Sequence, residues 1–255
     1  MTPTLQRFVY PTLGLLLILG LWIVATEIIK VSPVLLPAPE DVFWAFINRF
    51  PLIMRESWVT LQETLLGFLL ALVIGIPLAV AIANSRALNL MFYPLLVALQ
   101  SVPKVALAPM ILVWLGTGLE SKLAIVWLVA FFPIIIDTAA GLRATPRELI
   151  ELARSMKASP WQMFAKVQFP AALPHVLTGA KVAITLAVIG AVIGEFMGAS
   201  SGLGYLLLSA TSQLNTPLAF AALFALSFMG LGVYGLIELV EVALSRWLPP
   251  KSHGH

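Results

Sequence analysis

The sequence predicts an all-α membrane protein with six transmembrane helices, and three observations predict it. First, 60% of the 255 residues are hydrophobic and only 11% are charged, with a mean hydropathy of +0.99. Soluble globular domains carry about 25% charged residues, and a soluble chain of this size has too little interior to hide so much apolar surface. Second, six stretches reach the length of about 20 mostly apolar residues that a spanning helix needs: residues 8–26, 61–83, 89–116, 123–141, 176–196 and 218–244. Third, lysine and arginine are unevenly shared between the two sides. With the N-terminus inside, Arg7, Arg86, Arg143, Arg147, Arg154, Lys157, Lys166, Arg246 and Lys251 lie inside, and only Lys30, Arg49, Arg55 and Lys122 lie outside. Both termini are therefore expected to be cytoplasmic.

Each element follows in order. Arg7 and the apolar run after it resemble a signal peptide. That run is long enough to span and lacks a clear small-residue cleavage site, so a retained first helix is expected. Residues 27–60 contain Pro33, Pro37, Pro39 and Pro51. Between these prolines, residues 40–50 place Val42, Phe43, Phe46 and Ile47 at helical spacing, as in an amphipathic helix on the outer face. The third stretch holds Pro94, Pro103 and Pro109, with Gln100, Ser101 and Lys104 among them, and reads as one span broken between Gln100 and Pro109. Residues 199–217 carry no charge and are expected to tuck against the membrane. The domain division expected is 1–60 for the first span and outer segment, 61–248 for the core, and 249–255 for a cytoplasmic tail.

Composition excludes several functions. Without cysteine there are no disulfides, thiol chemistry or Cys-ligated metals. The scattered basic residues form no nucleic-acid patch. No catalytic constellation, cofactor motif or metal-ligand set is present, so the chain reads as no enzyme. Residues 198–204 lack the lysine of a phosphate-binding loop.

The connection 142–175 carries most of the clustered charge. Thr145 is a candidate N-cap with Pro146 at the first helical position, and Ser159-Pro160 repeats the signal. A short helix over 161–167, presenting Trp161, Phe164 and Ala165, is expected to stop before Pro170. A short cytoplasmic helix with a bulky aromatic suits docking into a partner.

This loop resembles the Glu-Ala-Ala motif of binding-protein-dependent ABC importer permeases. Glu151 and Ala153 match its opening, and Ala158, Ser159, Pro160, Trp161, Phe164, Val167, Pro170 and Pro174 follow in register. The motif's glycine falls on Lys157. Residues 103–109, Trp114-Leu115-Gly116, residues 190–195 and Gly202-Leu203-Gly204 are similar to the nitrate/sulfonate/taurine branch, and 190–196 most similar to members for pyrimidine-type thiamine precursors or riboflavin. The resemblance implies a type I ABC importer permease fold with a cytoplasmic coupling helix in the bacterial inner membrane. It also implies its partners: two copies of an ABC ATPase subunit, an extracytoplasmic substrate-binding protein and a second, identical permease subunit. The substrate implied is a small solute such as a thiamine pyrimidine precursor, riboflavin, sulfonate, taurine or nitrate.

Ionisable residues within spans are costly and mark functional candidates. Lys104 and Glu195 are candidates for the translocation path or gate, with helix capping as the other reading of Glu195. Gly190 and Gly194 belong to a small-residue stripe that suits either packing within the chain or a path or dimer seam. An ion-coupled carrier working without an ATPase is the alternative function. It calls for buried carboxylate relays in several spans and internal repeats.

Overall fold

The computed structural model describes residues 3–244. The expected tail 249–255 lies outside them. Among the described residues, five helices are long and apolar enough to cross a membrane, or six when one bent pair is taken as a single span. The helices are α1 (Pro3–Ile23), α2 (Pro39–Asn48), α3 (Phe50–Asn84), α4 (Arg86–Gln100), α5 (Ala108–Leu115), α6 (Leu119–Arg143), α7 (Arg147–Ser155), α8 (Pro160–Met163), α9 (Phe169–Phe196), α10 (Leu203–Ser212) and α11 (Thr216–Leu244).

The bent pair is α4 and α5, which meet at 89° across Pro103 and a 3₁₀ turn over Lys104–Leu107. Proline donates no backbone hydrogen bond, so the ladder cannot run through it. The break falls inside the interval expected from the prolines. The pair also joins opposite ends of the bundle. At its start, Arg143 from the end of α6 stacks 4.0 Å over Tyr93 and donates to Asn89; at its finish, Gly116 leads directly into α6.

The centre of the bundle is α3, α6 and α9, packed through small residues. Ala71, Ala79, Ala130, Ala183, Ala187 and Ala191 are buried with Ile134 and Ile135. A Cβ on Gly190 would stand 3.0 Å from the Val126 Cα, and one on Gly194 would stand 3.4 Å from the Lys122 Cα. The glycine stripe therefore faces α6 of its own chain and lets two backbones approach, which is how helices associate where lipid supplies no hydrophobic drive.

Several boundaries differ from the sequence reading. The second span starts at Phe50, not at residue 61, because Pro51 occupies the first turn, where its missing N–H costs nothing. Its 35 residues extend about 52 Å, beyond a hydrocarbon core of about 30 Å. The amphipathic helix α2 forms as expected and buries Val42, but Phe43 and Ile47 are exposed. Within residues 199–217, Leu203, Leu206 and Ala210 of α10 pack with Leu218, Ala222 and Leu226 of α11, while residues 211–215 are exposed. Helix α1 is peripheral, held where Trp22 packs at a tilt against Phe220 and stacks on Phe224 and donates to the Pro37 carbonyl at 3.0 Å.

Candidate coupling loop and path residues

Helix α7 ends in a reversal at Lys157, whose φ is +55°. The Ala158 N–H donates to the Ala153 carbonyl at 3.0 Å and the Lys157 N–H to the Arg154 carbonyl at 2.9 Å. Ala158 thus makes the long reverse bond of a Schellman turn. The turn that glycine makes in the motif is therefore made here by a lysine in the left-handed region, held by the bonds around it. Ser159 then starts α8 with a complete capping box: its Oγ accepts from the Gln162 N–H at 3.2 Å, and its own N–H donates to Gln162 Oε1 at 2.9 Å. Thr145 does not cap α7. Its hydroxyl donates backward to the Leu142 carbonyl at 2.9 Å, and Pro146 occupies the N-cap without a side-chain bond.

The helix begun at Ser159 does not stop before Pro170. A π-turn over Phe164–Gln168, closed by the Phe169 N–H on the Phe164 carbonyl, carries it into α9. The extra residue in a π-turn relaxes the backbone ahead of Pro170, so one continuous helix runs Pro160–Phe196, 37 residues long. Trp161 stands 72% exposed at its tip. Phe164 packs between Trp161 and Phe169, with ring centroids 5.7 Å away on each side. Ala153, Met156, Ala158, Gln162, Lys166 and Val167 line a hollow of about 330 Å³ beside it. Glu151 lies exposed on α7, while Pro170 and Pro174 belong to the first turns of α9. The loop thus presents an exposed aromatic tip on a capped helix that continues into a membrane-length span.

The path candidates separate in space. Lys104 lines a cavity of about 230 Å³ with Gln100, Phe132, Pro133, Leu186 and Ile189. Its Nζ donates to the Gln100 carbonyl at 3.0 Å and lies 4.9 Å from the Phe132 ring centre. Glu195 lies elsewhere, 1% exposed. One of its carboxylate oxygens accepts from Thr60 Oγ1 at 2.7 Å, and the other accepts from the Gly204 N–H at 2.5 Å. Gly190 and Gly194 sit in the α6–α9 contact.

Glu195 belongs to a buried polar cluster that sequence reasoning missed. Glu56 Oε2 accepts from the Gly202 N–H at 2.6 Å, and Thr60 Oγ1 from the Leu203 N–H at 2.8 Å. With Glu195 on Gly204, three side chains satisfy three successive N–H groups where α10 begins, donors a helix start otherwise leaves orphaned. Arg55 pairs with Glu56 at 2.7 Å, and Lys122 with Glu63 at 2.6 Å. A signal was present: Glu56, Thr60 and Glu63 stand at i, i+4 and i+7, on one helix face. It was hidden because residues up to 60 read as a connection.

Comparison with known proteins agrees with this architecture. Residues 65–246 match the family described as "Binding-protein-dependent transport system inner membrane component". The chain is 37% identical over 238 residues to the formylaminopyrimidine transport permease protein ThiX of Halalkalibacterium halodurans, covering 93% of this chain and 95% of that protein. It is 39% identical over 251 residues to the riboflavin transport system permease protein RibX of Chloroflexus aurantiacus, covering 96% and 93%. The taurine transport system permease protein TauC of Escherichia coli is 27% identical over 254 residues, covering 96% and 91%. Among solved structures, an inward-facing MetNI methionine ABC transporter aligns with a TM-score of 0.60 at 25% identity, covering 74% of this chain and 98% of that one. An amino acid ABC transporter gives 0.61 at 15% identity, covering 81% and 98%, a likeness of fold. The chain is a multi-pass membrane protein that belongs to the binding-protein-dependent transport system inner membrane component family, the permease subunits of ABC importers, with the type I fold.

Proposed function

We propose that this permease forms the translocation path for a small solute and couples it to a separate ATPase through the Trp161 tip, with the tip and both termini in the cytoplasm. The solute is of the class its relatives are named for: a formylaminopyrimidine, riboflavin, an aliphatic sulfonate or taurine. A binding protein delivers it from outside, and a second copy of the chain completes the path. The chain itself carries out no hydrolysis.

The observation that carries the coupling reading is Trp161, 72% exposed on a helix continuous with a membrane span. An aromatic of this size left in water gains by burial in a partner. The test is copurification of tagged permease with its ATPase subunit. Trp161→Ala is expected to weaken the complex about 30-fold, the equivalent of about 2 kcal/mol for an aromatic anchor; unchanged retention would remove the role. Lys104 is the path residue favoured by its cavity. A cysteine at 104, introduced into this cysteine-free chain, is expected to react with a water-soluble maleimide, and an inert thiol there would exclude it.

The cluster Glu56, Glu63, Lys122 and Glu195 is an observation that would suit an ion-coupled carrier instead. That reading expects uptake driven by an ion gradient with no ATPase present. The cluster's bonds to the start of α10 give it a structural task that needs no ion.

A further inference from the structure

The 37-residue helix over Pro160–Phe196 has a distinct contact at each end. At one end stands the exposed Trp161. At the other, about 51 Å away at 1.5 Å per residue, Glu195 occupies its last turn and accepts from the Gly204 N–H. The helix stays continuous across its π-turn over Phe164–Gln168 and past Pro174, and Gly179, Gly190 and Gly194 seat it along α6.

Glu195 has no room to be replaced by a looser contact. A Cβ on Gly202 or Gly204 would collide with its carboxylate, so the backbone at both positions has been cleared to bring α10 against this side chain. Gly202 also has a φ of +108°, a conformation that L side chains rarely adopt. The chain thus places glycine on both sides of Leu203, where a carboxylate from another span reaches the start of a helix.

We propose that Glu195 is a positioning residue that links the coupling loop to α10, so that displacement of the Trp161 tip moves α10 at the opposite end of the bundle. This rests on the coupling role proposed above. Glu56 and Thr60 attach the same turn to α3, so α10 is held between two spans and takes its position from both. A continuous helix carrying a contact at each end is a contiguous physical connection of the kind that carries coupling between distant sites. Its hydrogen bond in a dry site is directional enough to impose a position on the helix it holds.

A reporter exists on α10. Thr211 is exposed and faces a groove that it shares with Val34, Leu35, Leu214 and Leu223, so movement of α10 against the 34–35 segment changes access to it. The experiment uses the full chain with Thr211→Cys, assembled with its ATPase in lipid nanodiscs. The maleimide reaction rate is measured without nucleotide and with Mg-ATP plus vanadate. Nucleotide is expected to change the rate about five-fold or more, the lower range of allosteric coupling. In the Glu195→Ala background that change is lost while the complex still assembles and hydrolyses ATP; Glu195→Gln, which keeps an acceptor oxygen, retains most of it. A full response in Glu195→Ala, or no response in the otherwise unaltered chain, overturns the proposal. Should the alanine variant not assemble, Glu195→Asp carries the test, since its shorter arm draws the carboxylate back from Gly204, and a full response there overturns the proposal equally. Failure of the otherwise unaltered permease to hold any ATPase defeats the coupling reading first, and this proposal with it.

Discussion

Lys122 shows how a charge is kept inside an apolar bundle. It is 7% exposed and its ammonium lies 2.6 Å from Glu63, while the α9 backbone packs against its side chain at Gly194. Removing one member of a buried pair leaves the other charge uncompensated, which costs about 3–5 kcal/mol. Lys122→Met is therefore expected to lower the thermal midpoint of the detergent-solubilised chain strongly, and Glu63→Gln combined with Lys122→Met to recover most of the loss. Equal midpoints for the single variant and the unaltered chain would show that the pair is not buried as described. At this scale the sequence was legible for the loop and opaque for the cluster. Ser159-Pro160 reads as a helix start because its bonds are local, as the capping box shows. Lys122 sat immediately ahead of the apolar run 123–141 and read as an outer-face charge. Its partner is 59 positions away, a distance no local pattern reports.

At the scale of elements, small residues govern the packing and proline governs the breaks. The α4–α5 bend was legible because proline acts through its own backbone. The continuation of α8 into α9 was not, since Pro170 is an equally valid stop signal and first-turn residue. What selects between them is the π-turn and the packing beyond it. The small-residue stripe was visible, but its direction was not, because a period of four names a face without naming what it meets. The structure turns that face toward α6, which gives a sharp expectation for Gly190. Its Cβ position is 3.0 Å from the Val126 Cα, backbone that has little freedom to retreat. Gly190→Leu is expected to separate α6 from α9 and to reduce the yield of folded protein severely, while the same change at Gly230, which has open space around it, is expected to have little effect. Gel-filtration yield in detergent measures both. Normal behaviour of the Gly190 variant would place the stripe at another surface.

In the molecule as a whole, three features combine. The bundle is built on α3, α6 and α9; α9 continues without interruption into the loop helix; and the loop tip is apolar and solvent-facing. A permease driven by a separate ATPase, as proposed above, must receive its driving force across a protein surface. A tip on a helix continuous with a central span is placed to receive it. Phe164 supports the tip from beneath, packed between Trp161 and Phe169, so truncating either aromatic weakens the same contact. The most direct measurement is uptake and ATP hydrolysis by complexes reconstituted in proteoliposomes with the ATPase and the solute-loaded binding protein, for the unaltered chain, Trp161→Ala and Phe164→Ala. Both variants are expected to insert and purify normally, yet to transport at least about ten-fold less solute per ATP hydrolysed or to fail to retain the ATPase, as follows from loss of an interface anchor. Unaltered uptake and unaltered hydrolysis in both variants would contradict the coupling role.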